Sequence, residues 1–397
     1  MPTPRSCPAA GCPGHTVNRS RAFIRYGRYH TAAHGVVQRY RCRFCGATVS
    51  DQTDSLHYFA KRRLPLKTIW HTLLAGASLR EIARRTRVSP QAIQHVISRL
   101  GRQAMAAHAL LLSQLSPRPA VVFDGLRSFV TSQDYPCDLT TVVERDGEMI
   151  LSMVHSVSTR GGTTTSAQRA RVRRKRRVWQ PARGSFQGDI SLLTREIWDY
   201  LRPTSSAPAR IDTDRHPLYR AVLASDPVTR HLRRAKRVHH RRTSSLAPRT
   251  LENPLFPVNY IDRLLRHRLR EHTRETIAFG RNATLQMHRA WIFAYDHNCL
   301  REYRVRRPEL GIHAAQGALE PRAARTVNRR FFTRRIGLAG VPVPDSIRRT
   351  WMGELPTPPH RWRAGQQPRT CHAPRYALRD LGGSYQQARS YFKFPCF

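Results

Sequence analysis

The 397-residue sequence predicts a multidomain α+β protein, and three features of the chain carry that prediction. Four cysteines near the amino terminus have the spacing of a small metal-stapled module. Residues 64–112 repeat apolar side chains with helical periodicity, and Pro117 and Pro119 then end that pattern. From residue 120, apolar runs rich in β-branched residues alternate with helical segments, as in an α/β domain with a mixed sheet.

The charge of the chain predicts its class of partner. Lys and Arg number 69 against 26 Asp and Glu, a formal net charge of +43. Such an excess makes the compact state self-repelling unless a polyanion neutralises it. Nucleic acid is the expected partner, and an anionic membrane surface is the lesser alternative. Because the sequence shows neither an apolar membrane span nor a secretory leader, we expect a cytoplasmic, DNA-associated protein without membrane contact.

Residues 1–52 are expected to form a zinc ribbon. Two cysteine pairs can close a tetrahedron of thiolates around one Zn²⁺ ion, and they are Cys7, Cys12, Cys42 and Cys45. Gly46 follows the second pair and permits the tight turn that aims both sulfurs inward. One thiolate could be replaced by His15, His30 or His34, and four unrelated structural cysteines are the other alternative. Because four protein ligands leave no open position, the zinc is expected to be structural.

Residues 60–115 are expected to form a helix-turn-helix DNA-binding domain. Ser78 can cap the first helix, with Glu81 completing a capping box, and Ser89 can cap the second helix. The second helix would present polar side chains to a major groove, namely Gln91, Gln94, His95 and Arg99. On the preceding ribbon, Arg39 and Arg41 alternate with aromatic residues and suit a phosphate backbone. A plain helical hairpin without DNA contact is the alternative.

Residues 118–305 are expected to form an α/β catalytic domain, followed by a basic C-terminal extension at 306–397 that is extended or partly disordered. Strands are expected at 120–130, 137–145, 148–157 and 209–212. Helices are expected at 190–201, 216–224, 258–279 and 283–304. Loops are expected at 160–188 and 233–257, both rich in Arg.

Two aspartates at strand ends are the candidate catalytic residues. Asp124 lies where a buried strand emerges, and Asp214 ends a second short strand just before a helix. Phosphoryl transfer on DNA uses two Mg²⁺ ions about 4 Å apart, held by a few hard oxygen ligands. An isolated aspartate at a strand end more often forms a turn, so the hypothesis of a catalytic site rests on the two aspartates together. A basic stripe on the helix expected at 258–279 would hold DNA or form a solvated face, and it contains Arg263, Arg266, Arg270 and Arg274.

The order of these motifs resembles bacterial insertion-sequence transposases of the acidic-triad class. The motifs are CPAAGC, QRYRCRFCGATVS, SLREIARRTRVSP, VVFDG, TDRHPLY and NYIDRLLRHRLREHTRETIAFGRN, and they span residues 1 to about 305. In that class a zinc ribbon and a helix-turn-helix precede a ribonuclease-H-like domain. The resemblance implies binding to the terminal inverted repeats of an insertion sequence, followed by Mg²⁺-dependent strand cleavage and strand transfer. It also implies a homodimer or larger assembly on double-stranded DNA, because two element ends must be joined.

The resemblance assigns roles to three acids. Asp124 matches the first acid, and Asp214 matches the second, with Tyr219 five residues on and Asp212 as a competitor. Asp262 stands where the class usually has a glutamate, so its side chain is one methylene shorter. Further acids along the same expected helix, Glu271 and Glu275, are poorer candidates for the third ligand. The alternatives are a non-catalytic, sequence-specific DNA-binding protein, such as a regulator or a decayed transposase, and an RNA-binding or RNA-guided nuclease.

Overall fold

The structure is a computed structural model that describes residues 7, 9, 11–17, 19–274, 276–316, 319–338, 341–359, 374, 377 and 380. Within this part the chain is α+β, with a three-stranded antiparallel sheet and a five-stranded mixed sheet. Glu275 and most of the segment beyond residue 359 lie outside the described residues. None of the described helices combines the length and the apolar character that a membrane crossing requires.

The N-terminal module is a small antiparallel sheet. The short helix α1 (Arg19–Ala22) leads into β1 (Phe23–Thr31), β2 (Gly35–Cys42) and β3 (Thr48–Ser50), which pair in chain order. The module's buried cluster contains three of the four cysteines together with Ala22, Phe23 and Val49. So small an apolar core cannot stabilise a domain by itself, and a staple is needed.

Three helices follow the N-terminal module, and the expected turn joins the second of them to the third. They are α2 (Leu66–Leu74), α3 (Leu79–Thr86) and α4 (Pro90–Leu112). The hydroxyl of Ser78 accepts from the Glu81 amide, and the hydroxyl of Ser89 accepts from the Ala92 amide, both at 3.2 Å. Arg87 turns the chain between α3 and α4 with a left-handed φ of 52°. The caps expected at Ser78 and Ser89 are therefore confirmed, whereas the carboxylate of Glu81 accepts from Arg84 and Arg85 instead of completing a capping box.

The helix α4 continues well beyond the second helix expected for a helix-turn-helix. It has 23 residues, and every side chain from position 100 to 109 is buried. The Nε2 atom of His108 lies 2.9 Å from the carbonyl oxygen of Leu151, a residue of the large sheet. The helical region at 60–115 is thus continuous with the core of the following domain.

The five-stranded sheet has the spatial order β6-β5-β4-β7-β8. The expected meander is confirmed as β4 (Ala120–Val130), β5 (Ser132–Glu144) and β6 (Ile150–Val157), which are antiparallel. Two more strands, β7 (Ala209–Asp214) and β8 (Val238–Thr243), extend the sheet in parallel from the other side of β4. The strand that ends in Asp214 therefore lies directly beside the strand that carries Asp124.

The helices of this domain pack around the sheet and fill its core with aromatic side chains, among them Trp291, Tyr295 and Trp351. The bounds are α5 (Ser166–Arg176), α6 (Ser185–Leu201), α7 (Pro217–Ser225), α8 (Pro227–Arg234), α9 (Phe256–Arg268), α10 (Ala283–Tyr295), α11 (Pro321–Asn328) and α12 (Asp345–Met352). A π-helical turn at Asp296–Leu300 continues α10.

Two expected loops contain regular structure. The segment 160–188 includes α5, because Thr165 and Gln168 form a reciprocal capping box at its start. The segment 233–257 includes β8, whose Val238 is buried and whose backbone pairs in register with β7. Both predictions failed because basic composition was taken to indicate a loop, whereas these Arg-rich segments are fixed by capping and by strand pairing.

The long helix expected at 258–279 is wrong in its second half. The helix α9 ends at Arg268, and Leu269 is extended and buried. The chain then turns inward, where Glu271 pairs with Arg289 and the Nδ1 atom of His272 lies 3.0 Å from the Ser128 hydroxyl. These buried polar contacts outweigh continuation of the helix, so Arg270 and Arg274 do not share a helical face with Arg263 and Arg266.

The C-terminal extension contains two described helices, α11 and α12. Phe331 is fully buried, and its ring centroid lies 5.2 Å from that of Trp70. The buried guanidinium of Arg102 donates to the Trp351 carbonyl oxygen at 3.0 and 3.1 Å. This part of the extension therefore closes the core between the helix-turn-helix and the large sheet, and its expected lack of structure is wrong.

Candidate functional site

The four N-terminal cysteines form a compact cluster. Their sulfur atoms all lie within 4.8 Å of one another, with Cys7 and Cys45 at 3.4 Å and Cys12 and Cys42 at 3.7 Å. A tetrahedron of Zn–S bonds of about 2.3 Å places its sulfurs about 3.8 Å apart. The cluster thus fits one zinc ion with four thiolate ligands.

Local backbone geometry explains the cluster. Cys42 ends β2, and Gly46 has the positive φ of +71° that lets the turn bring Cys45 back. Gly14 approaches the sulfurs so closely that a Cβ there would lie 2.9 Å from the Cys42 sulfur. Burial raises the pKa of the Cys42 thiol, but hydrogen bonds from the Cys45 and Phe44 amides outweigh that effect and bring it to about 7. These amides favour the thiolate that metal binding requires.

The alternative histidine ligands do not join the cluster. The Nδ1 atom of His15 lies 2.7 Å from the Cys7 carbonyl oxygen, so this ring supports the backbone of the cluster. His30 is exposed on β1, and the ring of His34 lies beside His57 with a centroid distance of 6.3 Å. In the described part of the chain, the metal-ligand cluster consists of cysteines alone.

The large sheet brings the first two acids together. Phe123 of β4 pairs with Thr213 of β7, so the next residues, Asp124 and Asp214, are neighbours on adjacent parallel strands. Burial, and after it the charge of Asp214, raises the pKa of Asp124 to about 7. The Gly125 amide donates to Asp124 Oδ1 at 2.7 Å, and the His216 amide donates to Asp214 Oδ1 at 2.8 Å.

The third acid reaches the same place from α9. Asp262 and Asp124 both line a cavity of about 450 Å³ beside the sheet. Burial raises the pKa of Asp262 well above its ordinary value, and the charge of Asp124 is the next cause. The Oδ1 atom of Asp262 is buried and has no hydrogen-bond partner among the described residues. A buried carboxylate oxygen without a donor is costly unless a proton or a cation satisfies it.

Asp124 is the middle member of the acidic group. The charge of Asp214 raises the pKa of Asp124, and the charge of Asp124 raises the pKa of Asp262. The three carboxylates are nevertheless too far apart for one shared ion, since in the described residues only the cysteines bring three ligand atoms within 4.8 Å.

Arginines surround this acidic cavity. Its lining includes Arg249, Arg263, Arg266 and Arg274. The guanidinium of Arg266 is held in place, because it donates to the carbonyl oxygens of His272 and Arg127, both at 3.0 Å. Arg249 comes from the loop before α9 and lowers the pKa of both Asp124 and Asp262. Arg270 is exposed beyond the end of α9 and is not part of the described lining.

Two competing acids have structural roles. Asp212 is fully buried and forms ion pairs with three arginines, namely Arg145, Arg210 and Arg241, at 2.7 to 3.1 Å. Glu271 is buried against Arg289, whose charge lowers its pKa despite the effect of burial. Carboxylates saturated by guanidinium groups have little capacity left for a metal ion. Both are therefore poor candidates for metal ligands.

Sequence reasoning missed a fourth carboxylate near Asp124. Asp138 lies on β5, is buried, and accepts from Arg127 Nε at 3.1 Å. Its charge contributes to the raised pKa of Asp124 and to that of the buried phenol of Tyr219. The sequence could have indicated Asp138, because a charged residue within the apolar strand sequence of β5 requires a partner or a function.

The residues expected to contact DNA differ in their environment. Arg39 and Arg41 are exposed on β2 and flank the ring of Tyr26, at 5.5 and 5.7 Å from its centroid. Gln91 and His95 are exposed near the start of α4, and Gln94 between them is half-buried.

Arg99 is used differently from the other expected DNA contacts. It donates to the carbonyl oxygens of Leu56 and Tyr58 at 3.0 and 2.6 Å. This side chain therefore fixes the connection between the ribbon and α2, and it no longer counts as a base-reading candidate.

Comparison with known proteins gives no further guide to these sites. No protein-family model matches the chain, and no curated protein is significantly similar to it.

Proposed function

We propose that this chain is a transposase that binds the terminal inverted repeats of an insertion sequence and catalyses Mg²⁺-dependent strand cleavage and strand transfer. One observation carries the proposal: Asp124 and Asp262 line one arginine-rich cleft, and Asp214 lies beside Asp124 at the end of the adjacent strand. The charge of Asp214 raises the pKa of Asp124, and the charge of Asp124 raises the pKa of Asp262, so these acids are costly to keep together. Such perturbed groups cluster at functional sites.

The acidic group fits hard divalent cations. The orphaned Oδ1 atom of Asp262 and the raised pKa of Asp124 both indicate that the carboxylates lack a compensating positive charge. Two Mg²⁺ ions, when bound, would activate the attacking oxygen and stabilise the leaving oxygen of a phosphodiester. Asp124 would contact both ions, while Asp214 and Asp262 would each hold one.

The chain's own cations would position the DNA. The anchored guanidinium of Arg266 and the exposed side chain of Arg263 lie on the rim of the cleft beside Asp262. Phosphates flanking the scissile bond can accept from such groups without shielding the acids. The ribbon arginines Arg39 and Arg41, and the α4 residues Gln91 and His95, would bind the element end. Because two ends must meet, a homodimer or larger assembly is expected.

The sheet order supports a ribonuclease-H-like domain. Three antiparallel strands are extended by two parallel strands beside the first, and the first strand is central. In the expected class the first acid closes that first strand and the second lies after another strand. Asp214 ends β7 in this way, whereas Asp124 lies within β4, which continues for six residues beyond it.

The second candidate is a DNA-binding protein without catalysis, such as a regulator or a decayed transposase. The specific observation in its favour is Asp262, whose carboxylate is one methylene shorter than the usual glutamate. The carboxylates are also not close enough to share one ion. Under this alternative the same cleft would bind a phosphate through its arginines.

Nicking of a supercoiled plasmid in Mg²⁺ separates the two candidates. The parent chain should nick the plasmid, and Asp124→Ala should lower the rate by about 10²- to 10³-fold, the usual effect of removing one preorganised group. Asp199→Ala is the matched control, because Asp199 is an exposed acid on α6, outside the cleft. It should retain the parent rate.

The outcomes are distinct. Equal nicking by the parent and by Asp124→Ala would remove the enzymatic proposal. Binding to duplex ends with no nicking in either chain would favour the regulator. Preference for structured RNA over duplex ends would favour an RNA-binding or RNA-guided nuclease.

A further inference from the structure

We propose that the outer face of α5 is a second DNA-binding surface, which holds the phosphate backbone of the duplex beyond the acidic cleft. This inference rests on the proposed function. The helix belongs to the segment that the sequence indicated as a basic loop, and its role is separate from the cleft arginines. Six of its eleven residues are Lys or Arg, and the C-cap, Arg177, is basic as well.

The inner face of α5 is firmly attached to the sheet. Arg171 donates two hydrogen bonds to the buried carboxylate of Asp134, at 2.8 and 3.0 Å, and Lys175 donates to the same carboxylate at 2.6 Å. Just beyond the helix, the ring of Trp179 meets that of Tyr135 with a centroid distance of 5.4 Å. Asp134 is nearly inaccessible, so these pairs are better shielded from salt than surface ion pairs.

The outer face is a dense cationic surface. Arg173, Arg174 and Arg177 are exposed, and the described ion pairs of α5 involve only Arg171 and Lys175. Arg173 and Arg177 are four residues apart and therefore adjacent on the helix surface, where like charges repel each other. The dipole at the helix C-terminus offsets part of this repulsion. A polyanion would offset the rest.

The anchor of α5 lies beyond Asp124 along the direction of β4, and the distance between them can be compared with the length of a duplex. Asp134 lies just after the turn that joins β4 to β5, whereas Asp124 lies six residues before the end of β4. At about 3.4 Å per residue, the anchor of α5 is about 20 Å from Asp124 along the strand direction. The same length of B-DNA holds about six base pairs at about 3.4 Å each. The surface would therefore contact phosphates about half a helical turn from the scissile bond.

The test is the salt dependence of binding by the full zinc-loaded chain. Anisotropy of a fluorescein-labelled 30-base-pair duplex is measured from 50 to 200 mM salt without added Mg²⁺, so that no cleavage occurs. Each phosphate contact contributes about 0.9 to the slope of log K against log salt. The triple variant Arg173→Gln, Arg174→Gln, Arg177→Gln should have a slope smaller by about 2.7. Its affinity loss over this range should then be about 40-fold smaller than that of the parent.

Two further variants isolate the surface. The matched control removes three exposed charges from α11 and its C-cap, at Arg322, Arg325 and Arg329, and should keep the parent slope if position matters rather than net charge. Lysine at the three α5 positions should also keep the slope, because lysine still neutralises phosphates. Glutamine is a good helix former, so the α5 variant should remain folded, which circular dichroism checks.

Three results would overturn the inference. The first is an unchanged slope in the α5 variant. The second is an equal loss in the α11 control. The third is lost binding to phosphatidylserine-containing vesicles with an unchanged DNA slope, since α5 would then be a membrane-binding surface. The proposed function fails separately, through the plasmid assay or through a parent chain that shows no salt-dependent DNA binding.

Discussion

A substitution at Gly101 tests how closely α4 packs against α10. It lies in α4 where that helix crosses α10, and a Cβ there would lie 2.6 Å from the Cβ and 2.8 Å from the Cα of His288. Restoring ordinary contact, at 3.4 Å or more, requires α4 and α10 to separate by about 0.8 Å. Because part of the obstacle is backbone, no rotamer change can relieve it.

The expected effect of Gly101→Ala combines two opposing contributions. Overpacking of this kind costs about 1–3 kcal/mol, and a backbone obstacle places the cost near the upper end. Higher helix propensity returns about 1 kcal/mol. We therefore expect the free energy of unfolding to fall by about 2 kcal/mol.

The matched control is the same substitution at Gly188, which lies in α6 and has no atom within 4 Å of a Cβ placed there. Gly188→Ala should raise the free energy of unfolding by up to about 1 kcal/mol. Urea denaturation followed by circular dichroism measures both values. Equal values for the two variants would refute the close crossing of α4 and α10, because helix propensity alone would then explain them.

Three further predictions concern metal, site and pH. Removing zinc with a chelator should speed tryptic cleavage between Arg25 and Arg43 without changing cleavage elsewhere, because structural zinc contributes about 10–16 kcal/mol to such modules; digestion unaffected by the chelator would contradict this. Asp262→Asn should lower Mg²⁺-dependent nicking by about 10²-fold or more, and Asp262→Glu should retain more activity because it keeps the charge; parent-like nicking by Asp262→Asn would exclude this ligand. Burial lowers the pKa of His108 to about 4 in the folded protein. Between pH 6.5 and pH 4 the unfolded chain therefore binds a proton that the folded chain does not. The free energy of unfolding should fall by about 3 kcal/mol over that range. His108→Gln should flatten that dependence in urea titrations, whereas exposed His239→Gln should not, and parallel curves for His108→Gln and the parent would refute the assignment.

The parts of the fold that sequence reasoning predicted are those set by local chemistry. The cysteine pairs gave the metal cluster, because C-x-x-C followed by Gly46 defines its own turn. The β4 strand was predicted with its observed bounds, since an unbroken apolar run leaves little freedom. The caps at Ser78 and Ser89 involve neighbours only three residues away.

The parts that were missed depend on distant partners. The β8 sequence VHHRRT is polar and forms a strand because it pairs with β7 and because Arg241 reaches Asp212. The helical pattern of α9 continues in the sequence beyond Arg268, but Glu271 is drawn inward by a partner on α10. Asp138 was passed over because its approach to Asp124 depends on the pairing of two strands.

The length of α4 fixes a distance that the protein cannot adjust. Its 23 residues form one rod about 35 Å long, with Gln91 and His95 exposed at one end and His108 bound to the large sheet at the other. With Gly101 pressed against α10, no hinge separates the two ends. Under the proposed function, α4 holds the DNA bases that Gln91 and His95 contact at a fixed distance from the bond that is cleaved. Any mismatch in that spacing must be absorbed by bending or twisting of the DNA.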